Sequence, residues 1–168
     1  MKNWHKTIVL VTAILVFNRC HKYPQGGWTT NAVKHLTGSI FAFEKKWILT
    51  KYMVNGIDST DVVNGKIKSP FTTSSIGFTR NFFEKTHSVC KTNRYTYNCI
   101  LSDKRRHLSF ESMMVQPCSG SSCEYDIFNP LKESNEIIVW KINKLTSKEL
   151  SLIYLNQSIF ELTLTAQE

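Results

Sequence analysis

The stretch KKWILTKYMVNGIDST, residues 45–60, decides the fold. It is rich in β-branched and aromatic residues and runs without a helix-period stripe into Asn55-Gly56, a strong short-turn signal. Trp47, Leu49 and Met53 fall on one side of such a strand, and Ile48, Tyr52 and Val54 on the other. A strand apolar on both sides has something to cover on each: a filled core, a ligand chamber or a membrane.

Further strands alternate with period two. Phe160, Leu162 and Leu164 share a face opposite Glu161, Thr163 and Thr165. Tyr95, Tyr97, Cys99 and Leu101 share another, as do Leu108 with Phe110, Ile138 with Trp140 and Ile142, Leu150 with Leu152 and Tyr154, and Ile76 with Phe78. Asn64-Gly65 is a second turn signal, and LTSKEL and DKRRH are predicted corners between strands. Asn31–Lys46 is the best helix candidate, one or two turns long. Short strands joined in sequence predict an all-β fold, an up-and-down antiparallel barrel of about eight strands.

The first residues belong to export. Lys2 and Lys6 precede an apolar run, Ile8 to Phe17, too short to span a bilayer and suited to a signal peptide. Cys20 stands where a bacterial lipoprotein carries its acylated cysteine, although Phe17, Asn18 and Arg19 make a poor lipobox. HKYPQGGWTTN then reads as a polar tether. The expected organisation is a signal peptide over 1–19, a lipid-anchor tether with a short helix over 20–43, and a barrel domain over 44–168.

Removing residues 1–19 takes three cations and no acid, so the net charge falls from +8 to +5. The remaining excess is diffuse, and Lys104-Arg105-Arg106 is too short for a nucleic-acid stripe, so no nucleic-acid partner is expected. Four cysteines remain in the barrel region: Cys90, Cys99, Cys118 and Cys123. An even number in an exported chain predicts disulfides, with three pairings open. None has the C-x-x-C spacing of zinc or redox sites, so no metal or cofactor is expected.

Val115 to Asn135 is a long connection without sustained alternation. It reads either as a lid at the barrel mouth or as a surface excursion. Asp58-Ser59-Thr60 matches a short bacterial O-glycosylation pattern, but as a turn cluster it needs no such explanation.

Two blocks carry a family resemblance. KKWILTKYMVNGIDST, followed by EIIVWKINKLTSKELSLIY and a final IFELTLT, resembles the small lipocalin-like lipoproteins of Bacteroidota over roughly residues 44–166. Trp47 matches the tryptophan that opens their barrel, and Trp140, Ile142, Leu145, Thr146, Leu150 and Leu152 match a motif near its end. Lys45 stands where those families usually carry a glycine. The resemblance implies a barrel with room for one small apolar ligand. The expected place is the cell envelope, anchored by lipid to the outer membrane, and a tether without the acidic residues of surface display points to the periplasmic side.

The histidines and acids form no recognisable catalytic arrangement, so no catalytic residue is assigned and an enzyme is not expected. Strands shorter than membrane-barrel strands, interrupted by Lys and Glu, argue against an outer-membrane pore. Two function classes remain. One is a binder of a small hydrophobic ligand, lined by Trp47, Leu49, Tyr95, Tyr97, Phe110, Trp140 and Phe160. The other is a filled barrel that binds a protein partner through its loops.

Overall fold

The computed structural model describes residues 22–38, 45–67, 76–80, 87–92, 95–115, 125–131 and 137–167. Among the described residues nine strands follow one another: β1 Lys45–Val54, β2 Ile57–Asp58, β3 Ile76–Arg80, β4 His87–Lys91, β5 Tyr95–Ser102, β6 His107–Val115, β7 Ile138–Leu145, β8 Glu149–Leu155 and β9 Ile159–Ala166. All pairings are antiparallel. β2 is a short hairpin partner of β1, and β9 returns to β1, so the other eight strands close a barrel. Closure leaves no long edge exposed.

The alternation read from the sequence holds on β5 to β9. Tyr97, Cys99, Leu101, Leu108, Phe110, Ile138, Trp140, Ile142, Leu150, Leu152, Tyr154, Phe160, Leu162 and Leu164 all point into the core. β1 departs from it. Its register against β9 shifts between Leu49, opposite Leu164, and Lys51, opposite Thr163. The extra residue is a bulge that flips the faces beyond it. Trp47, Leu49 and Tyr52 are therefore all buried, while Ile48 is exposed and Met53 only half-buried. The strand that looked apolar on both sides is one interior face phased twice.

Asn55-Gly56 makes the expected turn, with φ of 50° and 80°, the pair of positive values that a type I′ hairpin requires. Asn64-Gly65 does not turn. It lies inside helix α2, Thr60–Ile67. Asp58 Oδ1 accepts from the Thr60 N–H at 2.9 Å and from the Thr60 hydroxyl, and Thr60 Oγ1 accepts from the Tyr52 N–H at 2.8 Å. That local network gives the Asp-Ser-Thr cluster a structural role at the helix start. β4 escaped the pattern because its buried positions carry Ser88 and Cys90.

Residues 22–38, expected as a tether, form a floor under the barrel. A short 3-10 turn, Thr29–Asn31, leads into helix α1, Ala32–Thr37, which buries Ala32 and Leu36. The β6–β7 ladder ends at His107 opposite Lys141. Below it, β7 meets the floor: the Gln25 N–H donates to Asn143 O at 2.9 Å and the Leu145 N–H to Gly26 O at 3.2 Å. Gly27 has φ +96°, and a Cβ there would lie 1.8 Å from Leu145 O, so no other residue fits so close to β7.

The Trp47 indole N–H donates to Leu36 O at 3.0 Å, and Lys45 Nζ sits 4.3 Å above the same ring. Lys45 also donates to His35 O at 2.8 Å. Lys45 thus joins strand to floor. The β5–β6 turn holds Asp103, Lys104 and Arg105 at positive φ, a conformation that costs roughly 1 kcal/mol or more per residue. The Tyr23 hydroxyl donates to Arg105 O at 2.7 Å, and Arg105 Nη1 donates to Thr30 O at 2.7 Å and Thr29 O at 3.2 Å. Floor and turn hold each other in place.

Candidate functional site at the barrel mouth

The end of the barrel opposite the floor carries the β1–β2 hairpin, α2, the β8–β9 turn and the connection from β6 to β7. Within that connection, residues 125–131 enter the barrel. Ile127 and Phe128 are fully buried and Asp126 nearly so. The Phe128 ring stacks on Phe110 at 4.1 Å between centroids and meets Tyr97 edge-on at 5.6 Å and Phe78 at 6.4 Å. Each such pair adds about 0.5–1.5 kcal/mol beyond the area it buries. Tyr125 makes an edge contact with Tyr52 at 6.0 Å.

Two polar latches hold this plug. The Trp140 indole N–H donates to Phe128 O at 3.0 Å. Asp126 Oδ1 accepts from the Tyr97 hydroxyl and from the backbone N–H groups of Phe128 at 3.1 Å and Asn129 at 3.0 Å. A carboxylate in an apolar interior is tolerable because several donors replace its water. Burial, then the Asp126 charge and its hydrogen bond, hold the Tyr97 phenol far above its ordinary value of 10.0. Tyr52 is raised as well, by burial first and then by Tyr125 and Asp126 beside it.

The seven candidate lining residues are all drawn inward: Trp47, Leu49, Tyr97, Phe110, Trp140 and Phe160 are buried and Tyr95 is half-buried against the same core. Their described contacts are as follows. Trp47 closes on the floor, Tyr97 and Phe110 close on Phe128, and Trp140 and Phe160 each close on Tyr154 at 5.4 and 6.0 Å. Tyr95 stacks on Tyr97 at 5.9 Å. The sequence reading missed Asp126, Ile127 and Phe128. Its available signal was an apolar pair inside a polar connection, flanked by Asp126 and Asn129-Pro130, both turn formers.

Cys90 and Cys99 are buried and are not joined to each other by a disulfide. The register places Cys90 opposite Tyr97 and Cys99 opposite Ser88, so they are not cross-strand neighbours. Cys20, Cys118 and Cys123 lie outside the described residues. Among the described residues no three His, Cys, Asp or Glu side chains converge as a metal site. His35 lies on the floor, and His107 lies near the Asp103 carboxylate at 3.4 Å in the β5–β6 turn.

Apolar side chains concentrate on the outside of the mouth. One arc is Ile57, 70% exposed, with Val62, Ile159 and Leu155, 65% exposed. Leu155 pairs directly with Ile159, whose carbonyl accepts from the Asn55 N–H at 2.8 Å, so this arc is continuous across β8, β9 and the β1–β2 hairpin. A second arc holds Met113, Leu131, Ile137 and Val139. Asp58, Asp61 and Lys51 are exposed near the first arc. Comparison of the chain with family models, curated proteins and solved structures returns no match.

Proposed function

We propose that this chain is an exported lipocalin-like lipoprotein, held to the cell envelope by a lipid on Cys20, whose filled barrel binds a protein partner at its mouth. One observation carries the choice of partner over ligand: the mouth interior is taken by the chain's own Ile127 and Phe128, while large apolar side chains stand outside on the rim. An apolar patch interspersed with a few charges has the make-up of a protein-binding surface. The test is a photo-reactive side chain placed at Ile57 or Leu155 in the producing cells, with Lys34 on the floor as control. One partner crosslinked from both mouth positions and not from the floor is the expected result. Identical adducts from all three positions, or none, would sink the reading.

A second reading, the small hydrophobic ligand, is favoured by the surroundings of Phe128. Its ring occupies an aromatic cage made by Phe78, Tyr97 and Phe110, a space that suits a flat apolar molecule once the plug has left. Native mass spectrometry of protein from its own host separates the readings. A releasable small-molecule mass favours the ligand, and equal native and denatured masses favour the filled barrel.

A further inference from the structure

We propose that the floor face of the barrel docks onto the surface of an anionic phospholipid bilayer, with Trp28 at the level of the headgroups. Charge and position carry this inference. Among the described residues, Lys22, Lys34, Lys46, Lys104, Arg106 and Lys148 are exposed around the floor. They come from five separate places: the bridge before the 3-10 turn, α1, the start of β1, the β5–β6 turn and the β7–β8 turn. The fold therefore gathers onto one end cations that the sequence scatters. Asp103 is the exposed acid among them, and it sits 3.4 Å from His107 Nδ1. Glu149 is held by Lys144 at 2.8 Å. The mouth, by contrast, mixes Lys51 with Asp58 and Asp61.

Trp28 is the second observation. It is 40% exposed on the floor, with Lys22 Nζ 4.3 Å over its ring. An indole beside lysines, apolar in body and polar at one edge, matches the boundary between headgroups and acyl chains.

The third is where the chain enters the fold. Lys22 follows Phe17, the end of the apolar run, by five residues, a reach of at most about 18 Å. It follows Cys20 by two, or about 7 Å. Anything upstream that enters a membrane brings the floor, and not the mouth, against it. To that extent the inference rests on the envelope reading above. Each cation near an anionic surface strengthens binding by roughly five-fold, and docking the floor leaves the mouth free for a partner.

The test is flotation of the full chain with phosphatidylcholine vesicles, with and without phosphatidylglycerol, at low and high salt. Preference for the anionic vesicles, lost at high salt, is expected. The variant Lys34→Gln, Lys46→Gln, Lys104→Gln should partition about 100-fold more weakly onto them, and Trp28→Ala should weaken binding with the charge unchanged. All four positions are solvent-exposed, and circular dichroism checks that the variants keep the fold. Equal, salt-insensitive binding to both vesicle types, unchanged in the triple variant, would mean that the upstream run binds alone, and would overturn the floor inference. So would anionic vesicles binding the folded triple variant as tightly as the unaltered chain. Acylation is read separately from the mass of host-derived protein, so a failed anchor and a failed floor are distinguishable.

Discussion

At the floor, Trp47 gives its indole N–H to Leu36 O at 3.0 Å; at the mouth, Trp140 gives its own to Phe128 O at the same distance. Both ends of the barrel are stopped by inserted chain, and both use a wall tryptophan to satisfy a carbonyl of the stopper. The stoppers differ in the rest of their support. The floor adds two backbone hydrogen bonds with the lower half of β7, Gln25 N–H donating to Asn143 O and Gly26 O accepting from Leu145 N–H, so it extends the sheet. The mouth plug relies on ring contacts and on a buried carboxylate, Asp126. A stopper joined to the ladder opens with the sheet, whereas one held by side chains can open by itself.

The sharpest way to break this comparison is Phe128→Ala. It should cost about 3–5 kcal/mol, read as a lower urea midpoint. Hydrogen exchange should speed up over 125–131 while Gln25 and the floor stay protected. Equal loss at both ends would show that the stoppers are one cooperative unit. Asp126→Ala comes next, at about 1.5–3 kcal/mol, because it strands the Tyr97 hydroxyl and two backbone N–H groups. Its effect should also be confined to the mouth.

Gly27→Ala attacks the other end. The strained φ alone costs about 1–3 kcal/mol, and the clash with Leu145 O adds to it. Faster exchange should appear at Gln25 and Leu145 while 125–131 keeps its protection. Gly26 has open space at its Cβ position, so Gly26→Ala should cost less despite its own positive φ.

Titration samples the two ends together. Tyr23, Tyr52 and Tyr97 are all raised above 10.0 by burial, with Arg105 partly offsetting the shift at Tyr23. A phenol raised on folding leaves the unfolded chain with fewer bound protons in alkali. Its contribution to stability is full below pH 10 and is lost as pH rises above that value. Phenolate absorbance from these three should therefore appear only as the fold is lost.

The smallest effect belongs to the floor. His35 is lowered from 6.5 by burial and then by Lys45 and Lys34. Here the unfolded chain binds more protons, so stability is full above pH 6.5 and falls as pH drops below it toward the folded value. The side chain is largely solvated, so the slope is shallow, and His35→Gln should flatten it in thermal melts run through that window.

The same contrast runs through what was legible beforehand. Leu150, Leu152 and Tyr154, or Phe160, Leu162 and Leu164, reveal their common face from spacing alone, because a strand turns its side chains over every residue. Asn55-Gly56 is legible for a similar local reason. The bulge in β1 was not, since it exists only as a mismatch between β1 and β9, more than a hundred residues apart. That Cys90 and Cys99 are not paired with each other depends on the register of β4 with β5, which spacing within either strand does not contain.

Local chemistry by itself therefore determined the strands other than β2 and β4, most of their inward faces, the turns at Asn55-Gly56, DKRRH and LTSKEL, and the barrel class that such strands close into. It also supplied every cation of the floor, without showing that they share an end. Tertiary structure alone decided that residues 22–38 pack under one end of the barrel, that Phe128 enters the other end, and that Tyr97 and Phe110 among the lining candidates meet its ring. Those outcomes are fixed by contacts between segments far apart in the chain. Their energy appears only on closure, when the interior has to be filled by whatever side chains can reach it.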